Sequence, residues 1–243
     1  MSDEKSLKYN EPWILQRADP YVYRHTDGSY YFTASVPAYD GIVLRRAGTL
    51  AELSGAEEVM VWKKHESGPM SYHIWAPEIH YLFGKWYIYF AGGEAEDIWK
   101  IRPYVLECSG DDPLTDEWVE LGKMKRAAED EFSFEAFSLD ATVFENKGEY
   151  YYVWAEKVGV GKMISNLYIA KMESGNQLKT VQVLLTTPDY DWERKGFWVN
   201  EGPAVIHHDG KMFLTYSASE TGVDYCVGML SIDEDADILD PRL

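Results

Sequence analysis

Cysteine is scarce. Cys108 and Cys226 are the only two in 243 residues, too few for a disulfide framework and compatible with either redox compartment. No Cys/His group has zinc-site spacing. Long apolar runs are also missing. None reaches the roughly 18 residues of a membrane span. Residues 1–8 lack the apolar stretch of a secretory signal, so the chain is expected in the cytoplasm. Positive charge is short, with 23 Lys and Arg against 41 Asp and Glu and a formal net charge of −18. Such a surface repels phosphate backbones and anionic lipid, which argues against nucleic acid and membrane partners. Helix signals are few. The one candidate is a helical turn over 127–132, and its acidic run Glu129, Asp130, Glu131 reads as a solvated loop. Gly92, Gly93, Gly159 and Gly161 read as turn glycines, and no helix start follows them to make a phosphate loop.

Aromatic side chains are abundant, at 15% of the chain with 18 Tyr and 9 Trp, and hydrophobic residues make up 46%. Tyr and Trp suit both β-structure and the faces of sugar rings. Aromatic and β-branched runs punctuated by Gly, Asp, Asn and Pro predict strands at 29–36, 41–46, 86–91, 104–108, 149–155, 167–172, 211–217 and 225–231. Trp86 and Trp154 lie in such runs and read as core. The fold class is all-β.

One pattern recurs four times, opening at Asp19, Ala76, Asp140 and Glu201, a period of about 60 residues. Each unit reads as a short strand, a turn at Gly28, Gly84, Gly148 or Gly210, then an aromatic strand. A third strand and an outer segment near 62–63, 117–119 or 182–185 follow. Four-stranded units repeated radially make a β-propeller. Residues 1–17 read as an N-terminal arm tied down by Trp13, Ile14 and Leu15, and residues 18–243 as the propeller domain. The outer strand of the fourth unit has no counterpart before residue 243, so a fifth unit is expected to be missing.

Three of the four openings carry a carboxylate. If the units are radial, Asp19, Asp140 and Glu201 meet on one axis. Glycoside hydrolysis needs two carboxyl groups in different protonation states, and a third beside the acid raises its pKa. Asp19 precedes Pro20 and is expected to be extended, a rigid setting for a base. Asp140 follows the apolar approach Phe137-Ser138-Leu139. Glu201 sits in Trp198-Val199-Asn200-Glu201-Gly202-Pro203, whose apolar residues favour a protonated acid. A lone Asp before Pro is usually a turn residue; the repeat is what raises these three above that. Glu78 reads equally as a structural acceptor or a ligand contact. Trp75 is placed for a sugar, while Phe137 and Trp198 divide evenly between pocket and packing. His65, His73, His80, His207 and His208 read mostly as loop or strand-edge residues.

With these residues the chain resembles glycoside hydrolase family 43, the inverting arabinofuranosidases, arabinanases and β-xylosidases built on a five-bladed propeller. The motifs are Ala18-Asp19-Pro20, Ile74-Trp75-Ala76-Pro77-Glu78, Ser138-Leu139-Asp140-Ala141 and Asn200-Glu201-Gly202-Pro203. The resemblance implies Asp19 as general base, Glu201 as general acid and Asp140 as the residue that orients and tunes the acid, with Trp75 helping to line the sugar pocket. It implies an exo-acting arabinofuranosidase on arabino-oligosaccharides or arabinoxylan fragments. A β-xylosidase and a non-catalytic sugar-binding propeller are the alternatives. No cofactor is required. A structural metal ion near the axis belongs to a family histidine on the fifth blade, which has no counterpart here. The expected partner is an oligosaccharide, or a second chain that completes the ring.

Overall fold

Strand follows strand through almost the whole computed structural model, which describes residues 12–160 and 162–241. The first sheet comprises β1 (Ala18–Arg24), β2 (Tyr30–Ser35), β3 (Gly41–Ala47) and β4 (Val59–Lys63). The second comprises β5 (Tyr72–Leu82), β6 (Lys85–Glu94), β7 (Asp97–Cys108) and β8 (Val119–Lys123). The third unit has β9 (Ser138–Asn146), β10 (Glu149–Val160), β11 (Lys162–Ser174), the short β12 (Gln177–Leu178) and β13 (Val183–Thr186). The fourth has β14 (Trp198–His208), β15 (Lys211–Ala218) and β16 (Cys226–Asp233). Every predicted strand is present. Within each unit neighbouring strands pair antiparallel, while β11 and β14 join in parallel at Ile164↔Trp198 and Ser165↔Val199.

The turn glycines do the work expected of them. Phe83-Gly84, Lys147-Gly148 and Asp209-Gly210 each place two residues at positive φ, the backbone of a two-residue hairpin whose twist matches its strands. Alternation then sorts the side chains. Tyr152 and Trp154 of β10 face one way, onto Tyr87, Tyr89 and Val105 of the second unit. Tyr151 and Val153 face the other way, onto Met212 and Leu214 of the fourth. Ile42 and Leu44 of the first unit pack on Trp86, Ile88 and Leu106 of the second. Central strands buried on both faces read as nearly continuous apolar runs, which is why the aromatic strands dominate the sequence.

Several expectations are corrected. Residues 127–132 form an irregular loop, since Asp130 is buried and organises it. Its carboxylate accepts from the Phe132, Ser133 and Gln182 N–H groups and from Ser133 Oγ, and these donors hold it below the usual carboxylate range although burial opposes them. Among the described residues the helical ones form two short 3-10 turns, Ala51–Gly55 and Asp191–Glu193. Gly92 and Gly93 lie inside β6, where an added Cβ would meet the Tyr104 ring and the Ile98 carbonyl. Gly159 lies inside β10, and Gly161 is outside the described residues. Much of the arm is likewise outside them. Of its anchors, Trp13 packs edge-on against Phe32 and Ile14 joins that cluster, whereas Leu15 is exposed. No helix among the described residues is long and apolar enough to cross a membrane.

Candidate active site

Each first strand breaks its ladder near its start. The register of β1 slips between Ala18 and Tyr21, β5 slips on both sides of Trp75, β9 slips between Leu139 and Thr142, and β14 slips between Glu201 and Ala204. At each break one residue takes a left-handed φ: Asp19 at 49°, His73 at 51° and Ala76 at 45° on the two sides of Trp75, Asp140 at 51° and Gly202 at 58°. A bulge re-aims a side chain at a sheet's rim. A non-glycine residue held there costs roughly 1–3 kcal/mol and persists where its surroundings over-determine it. In the fourth unit glycine takes the strained position, and the carboxylate stands one residue earlier on a longer side chain. The extended backbone expected of Asp19 is therefore corrected. A following proline disfavours the right-handed helical region and leaves positive φ open to a bulge.

These strands bring the three carboxylates into one electrostatic group. Asp19 Oδ2 accepts from Ser35 Oγ at 2.7 Å, and the same Ser35 Oγ accepts from the Ala76 N–H at 2.8 Å, tying the first bulge to the second. Asp140 Oδ2 accepts from the Gly202 N–H at 3.1 Å, tying the third to the fourth. Glu201 Oε1 accepts from Tyr225 Oη at 3.0 Å. Burial pushes the Asp140 carboxyl well above its ordinary range, and the charges of Glu201 and Asp19 push it further against the pull of the Gly202 N–H. Burial also raises Glu201, with a contribution from Asp19, while the Tyr225 hydroxyl and Lys157 pull the other way. Like charges this close cannot all ionise together, so the Asp140–Glu201 pair keeps a proton beyond the usual carboxylate range.

The aromatic candidates separate. The Trp75 ring lies 4.2 Å from His73, tilted by 35°, and Tyr39 meets it edge-on at 5.9 Å. Phe137 carries the Lys157 ammonium 3.9 Å above its ring. Trp75 and Phe137 pack against one cluster that includes Leu139, Tyr216 and Ala218. Trp198 stands at the β11–β14 seam with the Arg194 guanidinium 4.7 Å over its ring. Three residues from Glu201 on regular strand, it points to the opposite face of β14.

Glu78 is a half-buried acceptor whose Oε2 lies 2.9 Å from His80 Nε2, and desolvation raises its carboxyl. His80 is buried within β5, a correction to its loop or edge reading. Among the described residues no three His, Cys, Asp or Glu side chains are arranged to hold a metal ion.

Sequence reasoning missed the groups that hold the carboxylates. Ser35, Tyr225 and Lys157 lie in other strands and loops, with no local pattern to mark them. Behind the site, buried Glu193 accepts from the Asp189 and Tyr190 N–H groups, from Tyr216 Oη and from Asn200 Nδ2, bracing the start of β14. Glu156 does the same for the approach to Asp140, accepting from the Phe134 and Ala136 N–H groups and from Trp154 Nε1.

Comparison with known proteins follows the same lines. The sequence model of Glycosyl hydrolases family 43 matches residues 9–242. A Streptomyces chartreusis protein named extracellular exo-α-(1→5)-L-arabinofuranosidase is 48% identical over 233 residues, covering 96% of this chain and 69% of its own length. A Streptomyces avermitilis protein of the same name is 48% identical over 234 residues, covering 96% of this chain but only 47% of its own length. The crystal structure of an α-L-arabinofuranosidase from Lactobacillus brevis superposes with a TM-score of 0.86 at 52% identity, covering 96% of this chain and 72% of that one. The two Streptomyces names overturn the cytoplasmic expectation. That expectation rested on an apolar segment not found near residue 1, and such an absence does not define a compartment.

Proposed function

The chain belongs to Glycosyl hydrolases family 43, and from that premise we propose that it is an inverting exo-arabinofuranosidase, releasing terminal α-L-arabinofuranosyl units from arabino-oligosaccharides. The observation that carries the reading is the joint electrostatics of Asp19, Asp140 and Glu201, which come from the bulged first strands of three units. The names of the relatives support the sugar.

Glu201, kept protonated by burial, donates its proton to the glycosidic oxygen as the bond to the anomeric carbon breaks. Asp19 accepts a proton from the water that attacks the same carbon from the opposite side. Asp140 and Glu201 hold the proton as a coupled pair, and the bond of Asp140 to the Gly202 N–H fixes it beside Glu201. Trp75 and Phe137 shape the walls of the sugar site.

The finer architecture is part of the same proposal. The four units are blades of a five-bladed propeller. Consecutive first strands β1, β5, β9 and β14 touch one another, and consecutive sheets stack face to face. On the remaining face of the fourth sheet Ile206, Val227 and Met229 are exposed, and that apolar surface is the seat of a further blade.

The substrate test is direct. The protein is expected to release p-nitrophenol from the α-L-arabinofuranoside at least tenfold faster than from the β-D-xyloside, a margin within what pocket contacts supply. Equal rates, or a faster xyloside, would reject the arabinofuranosidase reading.

A further inference from the structure

Asp19 gets little support from its own strand. The ladder between β1 and β2 slips between Ala18 and Tyr21 and is regular from Tyr21 to Arg24, so Asp19 and Pro20 lie in the gap. Pro20 has no N–H to pair, and Asp19 is exposed. A base that activates water in an inverting pair must nevertheless stand at a set distance from the acid, roughly 6.5–9.5 Å. Misplacement by about 1 Å can cost about 10²-fold in rate. The contacts that fix this end of β1 have to come from a neighbouring unit.

Two hydrogen-bonded rungs join the first unit to β5. The upper one runs from the Ala76 N–H through Ser35 Oγ to Asp19 Oδ2. The lower one begins two residues further along each strand. Tyr21 Oη lies 3.4 Å from His80 Nδ1, and His80 Nε2 lies 2.9 Å from Glu78 Oε2. A single tautomer serves both contacts: the Nε2–H donates to Glu78, and Nδ1 accepts from the Tyr21 hydroxyl. Both ends of this rung stand on regular ladder, with Tyr21 paired to Thr33, Glu78 to Tyr89 and His80 to Tyr87. The imidazole is also gripped by rings. Tyr21, Tyr23 and Tyr89 surround it at centroid distances of 5.0, 6.2 and 5.8 Å, and its side chain is only 6% exposed. Such a polar chain adds little net stability. Its bonds are directional, however, and a network satisfied in one arrangement specifies that arrangement.

We propose that the Tyr21–His80–Glu78 chain is a positioning element for Asp19, locking β1 against β5 next to the bulge so that the two rungs together aim the carboxylate. The proposal rests on the reading of Asp19 as the base and adds what keeps that base in place. The three residues act through Asp19 rather than on the sugar.

Tyr21→Phe tests it with the least disturbance, since the ring stays in its packing and one hydroxyl is lost. The substrate is p-nitrophenyl α-L-arabinofuranoside, whose leaving group needs little help from the acid. The variant is expected to lower kcat about tenfold, part of what a 1 Å misplacement can cost, while KM changes by under about twofold. In an Asp19→Asn background the same substitution is expected to cost under about twofold, because the group it aims is already gone; a loss of general structural origin would repeat there in full. Wild-type kcat in Tyr21→Phe, or the same tenfold fall in both backgrounds, overturns the proposal and leaves the hydrolase reading intact, provided Asp19→Asn alone is crippled. If the wild type cleaves nothing, or Asp19→Asn keeps full activity, the base reading itself fails and the proposal is overturned with it.

Discussion

Glu201→Gln is expected to lower kcat on arabinobiose by roughly 10²–10⁴-fold, the usual worth of a positioned general acid. The amide keeps the length of the side chain and can still meet Tyr225, so folding and substrate binding should survive. What it loses is the proton. The effect should shrink on p-nitrophenyl arabinofuranoside, because p-nitrophenolate departs with little help. That dependence on the leaving group separates a lost acid from a damaged pocket. Steady-state kinetics on both substrates make the check, and equal losses on the two would remove Glu201 from the role.

Asp140→Asn is expected to cost about 10²-fold in kcat at neutral pH, within the range for acid–base machinery, and to move the alkaline limb of the rate profile downward. The sign follows from the pair. Burial first, then the charges of Glu201 and Asp19, raise Asp140, and its interaction with Glu201 is mutual. The proton the pair holds leaves at a higher pH than either carboxyl would show alone. Neutralising position 140 removes the repulsion, so Glu201 surrenders its proton at lower pH and activity fades sooner. Asparagine retains an oxygen for the Gly202 N–H, which preserves the contact that fixes the two strands. Tyr225→Phe should move the same limb the other way. The Tyr225 hydroxyl stabilises the ionised form of Glu201, so its loss keeps the acid protonated to higher pH. Opposite displacements in the two pH profiles are the expected result; displacements of one sign would contradict the assignment of the limb to this pair.

The repeat in the sequence carried most of this fold. Equivalent hairpins, glycine turns and aromatic strands mark each unit, because a strand buried on both faces needs apolar residues at nearly every position. The carboxylates were legible for the same reason, since equivalent places in a repeat become equivalent places in space. The backbone that aims them was not. Pro20 says which φ Asp19 avoids and nothing of the bulge that takes it to 49°. Gly202 is visible as a glycine, but its place at the left-handed position beside Glu201 depends on pairing with β15. Ser35, Tyr225 and Lys157 were invisible because each meets its carboxylate across a fold contact rather than along the chain. Asp130 was misread for a related reason: an acidic run looks solvated until loop N–H groups converge on one member. Trp75 and Trp198 are chemically alike in the sequence, and only the sheets separate the ring stacked on His73 from the one capped by Arg194.

The stereochemistry of the first product bears most directly on the cooperation of Asp19 and Glu201 across a single bond. Proton NMR during early hydrolysis of methyl α-L-arabinofuranoside should show β-L-arabinofuranose appearing first, before mutarotation, as attack by a base-activated water requires. First appearance of the α-anomer would mean a covalent intermediate and a different arrangement of the carboxylates, and would contradict the account.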